Sequence, residues 1–474
     1  MLSTASLELL DSISERADKL KKEILAYRHK IPKDKKIYYF SPNGDDSNDG
    51  LSPERALSTI ERLNSLSPEP GSEVLFECGG IWRGSFRASA GVTYSSYGDG
   101  KKPRIYGSPF DGAKVGGWEL VAPDIYRYSE KLSDDCGCIV MNRGAAHGLK
   151  LVVNYEGETP VDNVTREPFT GLENLTEDLM FWHDLGGAVI NNPDGGYIYL
   201  CSKSGNPAER FEEIEFLPRK NVISIGGDNV TIDNLCIMYG GAHGIGSGTT
   251  ANLTVTNCVL GWIGGSLQYY RDGRPVRYGN GVEIYGGCEN YYIDHCWVYE
   301  IYDAGITHQL SSGGDSDCIM DGVLYSNNLI EYCTYSIEYF LGKPARDDAV
   351  RYMSNIVMRD NILRYAGFGW GNQRPDKTTA AHFKGWDHYN RVDGEFIIED
   401  NIAECSRYML LHCGTDNDDW NPKLNGNTFV QYAGGELGRY GKYPTKLLPY
   451  IYQNVIRDEF KDNKFYIVVN SSQD

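Results

Sequence analysis

The chain has 474 residues, 46 Lys+Arg against 65 Asp+Glu, a formal net charge of −19 and 41% hydrophobic residues. That surplus of negative charge repels phosphate backbones, so nucleic acid is not an expected partner. No run approaches the ~18 apolar residues that cross a bilayer, and the first thirty residues lack the apolar core of an export signal, which together predict a cytoplasmic globular protein with no membrane partner. The twelve cysteines are scattered and mostly flanked by apolar or β-branched residues, the pattern of buried thiols in a reducing compartment rather than of a disulfide framework. Cys136 and Cys138 form the only close pair, with no second pair at ligand spacing to complete a zinc site.

Taken in chain order, residues 1–34 come first. Leu10, Ile13, Ala17, Leu20, Ile24 and Tyr27 recur at steps of three and four, which predicts an amphipathic helix. A lone helix of this length is marginal in water, so its stripe must be covered, by docking on the rest of the chain in preference to pairing between copies in a homo-oligomer. Residues 35–107 read as a capping module and 108–220 as a β-rich insertion. From 221 to 474 the chain repeats itself. Val230-Thr-Ile-Asp-Asn-Leu, Leu253-Thr-Val-Thr-Asn-Cys, Tyr291-Tyr-Ile-Asp-His-Cys, Val323-Leu-Tyr-Ser-Asn-Asn, Ile356-Val-Met-Arg-Asp-Asn and Phe396-Ile-Ile-Glu-Asp-Asn align on one column: Leu235, Cys258, Cys296, Asn328, Asn361 and Asn401, with Asn427 as its expected last member. Column members lie 23 to 40 residues apart, so a coil of near-constant core carries loops of variable length. Asn at the end of successive strands can bond backbone in a tight turn and its neighbours in the stack. The fold expected is all-β: a single-stranded right-handed parallel β-helix, a solenoid, with an N-terminal helix and a β-rich insertion.

Ile37-Tyr-Tyr-Phe-Ser-Pro-Asn-Gly-Asp-Asp-Ser-Asn-Asp-Gly, then Ser52-Pro, Ala56-Leu-Ser-Thr-Ile and Pro70-Gly-Ser-Glu-Val-Leu-Phe, resemble the opening module of bacterial pectate-lyase-superfamily β-helix proteins. The stretch from Gly117-Trp-Glu-Leu through Tyr197-Ile-Tyr-Leu to Phe211-Glu-Glu-Ile-Glu-Phe resembles the insertion of β-helix glycosidases such as the bacterial β-xylosidases. The resemblance spans most of residues 37–470 and implies a carbohydrate-active enzyme whose acids project from neighbouring coils of one sheet. Here the position between the two acids is Thr307, a departure from those relatives.

After each turn of the column the chain crosses to a further strand. With Val282, Ile306 and Ile337 inward, alternation points Glu283, Thr307 and Glu338 outward, followed by Tyr285, Gln309 and Phe340 on the same face. Coils stack roughly 4.8 Å apart, which separates the Glu283 and Glu338 backbones by about 9.6 Å. Inverting glycosidases hold acid and base roughly 6.5 to 9.5 Å apart and retaining ones about 5 to 5.5 Å, so the spacing favours inversion, with Asp303 as a reserve carboxylate that keeps retention open. Two insertions enter on the same side: residues 264–280, carrying Tyr269, Tyr270, Arg271, Arg274 and Arg277, and residues 367–380, carrying Trp370 and Arg374. Loops on one face of a repeat protein commonly build its binding site. His382, Lys384, Trp386, Asp387 and His388 form the densest polar and aromatic cluster, expected to contact substrate or tune the acids, and His412 extends the row one coil further. Strict alternation turns His308 inward, and its role as an interior or catalytic residue stays open.

Asp45-Asp-Ser-Asn-Asp-Gly lacks a Glu at the twelfth position and reads as a capped turn; the Asp315/Asp317 and Asp416/Asp418/Asp419 groups read as solvated loops, with calcium as the alternative. No cofactor is expected. The function expected is a glycoside hydrolase acting on an oligosaccharide or polysaccharide fragment, with Glu283 and Glu338 as its acid/base pair and Tyr270, Arg271, Arg277, Tyr285, Thr307, Gln309, His382, Lys384, Trp386, Asp387 and His412 around the substrate. The alternatives are a polysaccharide lyase or uronate epimerase using Lys384, His382 or an arginine, and a non-catalytic carbohydrate-binding solenoid.

Overall fold

The computed structural model describes residues 2–373, 380–385, 389–415, 417–441 and 462–468. Among these, three parallel sheets of eleven, eleven and nine strands run the length of the molecule. Each coil contributes one strand to each sheet, as in Cys288–Asp294, Trp297–Ile301 and Ala304–Leu310, followed one coil on by Cys318–Ser326, Leu329–Glu331 and Tyr335–Leu341. This is a right-handed parallel β-helix, in the hand that parallel crossovers take almost without exception. Register is strict along the interior: Val255, Ile293, Tyr325, Met358, Ile398 and Leu424 stand in one column, all buried. The twelve cysteines are free thiols, nine of them buried.

The asparagine column forms as its sequence predicts, and its turns explain the residue type. The position before each member adopts a left-handed backbone, His295 at φ 49°, Asn327 at 51°, Asp360 at 55° and Asp400 at 54°, a conformation that Asn and Asp tolerate best among non-glycine residues. Asn361 shows the full bonding pattern. Its Nδ2 donates to Asn401 Oδ1 (2.9 Å) and to the Tyr325 carbonyl (2.9 Å), while its Oδ1 accepts from the N–H and the Nδ2 of Asn328, both at 3.0 Å. Asn427 is not the last member, because its amide donates onward to Asn463 Oδ1 at 2.9 Å.

The N-terminal segment docks along the solenoid and does more than its helical stripe predicts. Leu2–Thr4 pairs parallel with Lys464–Val468 and so extends the far end of one sheet. Helix α1 (Leu7–Ala26), capped by the Ser6 hydroxyl, then runs back across the coils with Ile13 and Ala17 packed on Leu329, Ile362, Ile402 and Val430. Twenty residues span about 30 Å, the depth of roughly six coils. Lys21 sits 3.6 Å above the Trp297 ring. Beyond the helix, His29 reaches the early coils, its Nδ1 3.0 Å from Asp233 and its Nε2 2.9 Å from Glu73. Burial alone would lower the pKa of this imidazole, but its bonds to Asp233 and Glu73 outweigh burial and raise it to about 9.

The insertion packs around its own core of Trp118, Tyr128, Ile139, Phe181, Ile198 and Phe216. It braces the hairpin Leu267–Arg271/Arg274–Arg277, whose tip is tied by Tyr155 N–H to the Gly273 carbonyl at 2.9 Å and by Arg274 Nε to Glu156 at 2.8 Å.

Candidate active site

The nine-stranded sheet carries an outward column in direct register: Glu283, Thr307, Glu338, Lys384, His412 and Arg439. Above its first four members opens a cleft of about 450 Å³, lined by Glu283, Asp303, Glu338 and Lys384 together with Tyr269, Arg271, Arg277, Tyr278, Tyr285, Gln309 and Phe340. All three predicted carboxylates therefore face one space.

Glu338 and Lys384 form an ion pair at 2.6 Å with both side chains buried. The ammonium also lies 3.6 Å over the Tyr335 ring. Burial would lower the Lys384 pKa, but Glu338, Tyr335 and Asp303 more than offset it and the net direction is upward. The site thus sets an ammonium against the Glu338 carboxylate, and breaking such a buried pair from one side typically costs about 3–5 kcal/mol.

Glu283 is held differently, by neutral donors. Its Oε2 accepts from the side-chain amides of Asn280 and Gln309, the latter at 3.0 Å. Asn280 is itself fixed, because its Oδ1 accepts the Ala304 N–H at 2.8 Å. His243 Nδ1 stands 3.3 Å from Glu283 but accepts the Asn280 backbone N–H at 3.1 Å. Oε1 of Glu283 has no hydrogen-bond partner among the described residues.

Asp303 precedes the middle strand and takes part in the field around Lys384. Its neighbour Tyr302 is clamped between Arg277, 4.7 Å from the ring, and Trp370, 5.1 Å from it. Trp370 is pinned in turn by Glu300, whose carboxylate accepts its backbone N–H at 2.9 Å and whose carbonyl accepts its indole N–H at 2.7 Å. Burial pushes the Glu300 carboxyl up to about 7, although the Trp370 N–H pulls the other way.

Several predicted contacts fall elsewhere. Tyr270 faces away from the cleft: alternation along the hairpin sends Tyr269 and Arg271 inward, and the Tyr270 ring packs on Tyr155 of the insertion, centroids 5.8 Å apart. His382 is fully buried under the corner of the next coil, between the Ser336 hydroxyl (2.9 Å) and the Glu404 carbonyl (3.1 Å), and burial drives its pKa down to about 3. It cannot touch substrate or serve as a base in that position. Thr307 is also fully buried, covered between the two glutamates, with no hydrogen-bond partner for its Oγ1 among the described residues. His308 lies inward between Ile284 and Tyr339, its Nδ1 2.8 Å from the Tyr325 hydroxyl; burial lowers its pKa to about 3, which makes it a neutral interior residue. His412 is one coil beyond Lys384 and does not line the cleft. Trp386, Asp387, His388, Arg374 and Asp416 lie outside the described residues. Asn280, His243, Tyr278 and Tyr335 are additions that the strand pattern did not single out; the signal for Asn280 was its place between Gly279 and Gly281, three residues before Glu283.

Among the described residues no group of three or more His, Cys, Asp or Glu is placed to hold a metal ion, and no helix is long and apolar enough to cross a membrane. The Asp45–Gly50 loop spends its carboxylates locally, Asp46 on the N–H groups of Ser58 and Thr59 and Asp49 on Leu51 and Arg55.

No family model matches the chain, and no curated protein matches it. Solved structures to which it is similar include the GH136 lacto-N-biosidase from Eubacterium ramulus (12% identity, 91% of this chain and 68% of that one, TM-score 0.39). A protein described as a glycoside hydrolase is 10% identical over 91% of this chain and 96% of that one, TM-score 0.47, and pectate lyase Pel9A is 11% identical over 92% and 77%, TM-score 0.44.

Proposed function

We propose that the protein is a carbohydrate-active enzyme, a glycoside hydrolase that cleaves oligosaccharides with inversion. The observation that carries this reading is the convergence of Glu283, Asp303 and Glu338 on one cleft in which a single buried ammonium, Lys384, is committed to Glu338. Glu338 faces the Lys384 ammonium, which favours its carboxylate form, while Glu283 is bonded by the neutral amides of Asn280 and Gln309, so the two acids stand in unlike electrostatic surroundings. Hydrolysis needs that split between an acid and a base.

Glu338, paired with Lys384, is the base that takes a proton from water as the water oxygen bonds to the anomeric carbon. Glu283, with Oε1 open to the cleft, is the acid that passes its proton to the departing glycosidic oxygen. Their backbones lie two ladder steps, about 9.6 Å, apart, room for a water on one face of the sugar and the leaving group on the other. Tyr285, 44% exposed, and Phe340 flank Gln309 in register and offer aromatic faces to sugar rings. As the base of an eliminating lyase Lys384 would have to be neutral, and the upward-shifted, ion-paired ammonium is poorly suited to that role at neutral pH.

The test is product mass spectrometry on neutral and uronate-containing oligosaccharides. Fragments that together gain one water are expected, and Glu283→Gln should slow their release about 10³-fold with the melting temperature essentially unchanged. Fragments without added water would establish elimination instead.

A further inference from the structure

The outward column does not continue as an open groove on the early side of Glu283. One coil back the register position is Gly246, and beyond it Ser224. The Asn221 amide lies directly over Gly246, where any Cβ would strike it. That amide is fixed: Asn221 Oδ1 accepts the His243 N–H at 3.1 Å, and its Nδ2 reaches the Ser224 hydroxyl at 3.4 Å. The His243 ring stacks on Tyr278 with centroids 5.9 Å apart, and Tyr278 in turn meets Tyr269 edge-on at 6.3 Å. Asn221, His243 and Tyr278 thus fill the groove one coil short of Glu283.

The wall is not a loose flap. Arg277 Nε donates to the Gly265 carbonyl at 2.6 Å and its NH2 group to the Gly137 carbonyl at 3.2 Å, which closes the base of the hairpin loop on itself and ties it to the insertion. The hairpin tip touches the insertion so closely that a Cβ on Gly273 would meet the Tyr155 and Glu156 backbone at 2.8 Å. Gly273 is at φ 79°, where glycine is the unstrained residue.

We infer that the cleft is a blind-ended site for the terminus of a sugar chain: the terminal ring lies over the glutamates with the Asn221–His243–Tyr278 wall at its end, the rest of the chain extends away from the wall past Lys384, and each hydrolytic event releases the terminal sugar. The inference rests on the hydrolase reading above and adds where along the substrate it cuts. Glu283 is the first register position inside the cleft and Tyr278 lines the same space, so no coil is left open beyond the ring on which the acids act. A polymer crossing the site in mid-chain would have to displace Asn221 from Gly246.

The experiment follows early products from oligosaccharides of graded length, labelled at the reducing end. The expected result is free monosaccharide with chains shorter by one unit, always from the same end. Tyr278→Ala and Asn221→Ala, which open the wall from two sides, should raise internal fragments from below detection to about a tenth or more of early products. Internal fragments from the wild type at early times would overturn the chain-end inference and leave hydrolysis intact. So would both variants, shown to be folded by near-UV circular dichroism, keeping the wild-type pattern. Products that gain no water would remove the hydrolase reading and this inference with it.

Discussion

Two columns climb this solenoid on the same repeat and are used in opposite ways. At one corner Asn328, Asn361, Asn401, Asn427 and Asn463 follow each other unchanged, each amide bonded to a backbone carbonyl and the first four also to the next member. On the cleft sheet Glu283, Thr307, Glu338, Lys384, His412 and Arg439 follow each other with no neighbour repeated. A column of identical side chains can satisfy its own hydrogen bonds indefinitely, so it needs nothing from outside the stack. A column of unlike charges cannot; each member depends on what the coil above or below supplies, and it is left with groups that can act on something else. Repetition marks what the coil requires to close, and departure from repetition marks where chemistry is free to sit.

The sharpest way to break that contrast is Lys384→Met. It leaves Glu338 buried without its cation, at a cost of about 3–5 kcal/mol at neutral pH, measurable by urea unfolding. Because the ammonium favours the carboxylate form of its partner, its loss should move the acid limb of kcat/KM to higher pH by about one unit or more. An unmoved limb would remove Glu338 as the base. In the other column Asn361→Ala strands the Asn328 amide and the Tyr325 carbonyl, and about 3 kcal/mol of stability should be lost, with turnover per folded molecule unchanged.

Glu300 sharpens the comparison further, as a largely covered carboxylate with no cation beside it among the described residues. Its folded pKa of about 7 lies above that of an unfolded glutamate, so the folded state binds the proton more tightly. Stability therefore falls as pH rises from the unfolded value through about 7 and then levels off. Glu300→Gln keeps an acceptor for the Trp370 N–H and removes the charge. It should gain on the order of 2 kcal/mol at pH 8 and nothing at pH 4, read from thermal melts at the two pH values. The smallest effect belongs to Thr307→Val. With no partner for the hydroxyl among the described residues, the near-isosteric change should leave stability equal or raise it by up to about 1 kcal/mol. A loss above that size would show the hydroxyl to be engaged.

The coil and the outward acids were legible because both follow from period-two alternation and from a column of turn residues, which are local. Glu283 and Glu338 needed only Val282 and Ile337 to be inward. What alternation could not give was the cover above the strand. His382 shares the outward side with Lys384, yet the corner carrying Glu404 closes over it, and Thr307 is sealed by the side chains of its own neighbours. Tyr270 was misassigned because a hairpin has two faces and the sequence does not say which one meets the insertion. Asn221 and His243 were invisible for a related reason: their importance comes from a glycine one coil away that leaves room for them.

The pairing of Leu2–Thr4 with Lys464–Val468 has a kinetic side. Those strands are separated by nearly the whole sequence, so their contact forms only after the intervening coils have brought the two ends into register, and the closure entropy of so long a loop is met late. The strand, helix α1 and the His29 clasp should then behave as one opening unit, the last to assemble and the first to exchange its amide hydrogens with solvent. Its release would bare the apolar row Leu329, Ile362, Ile402 and Val430 and move the edge of the sheet from the three-residue strand Leu2–Thr4 to the five-residue strand Lys464–Val468, a longer template for another chain. In that sense the N-terminal segment shortens the sheet's edge and covers its apolar flank in one step.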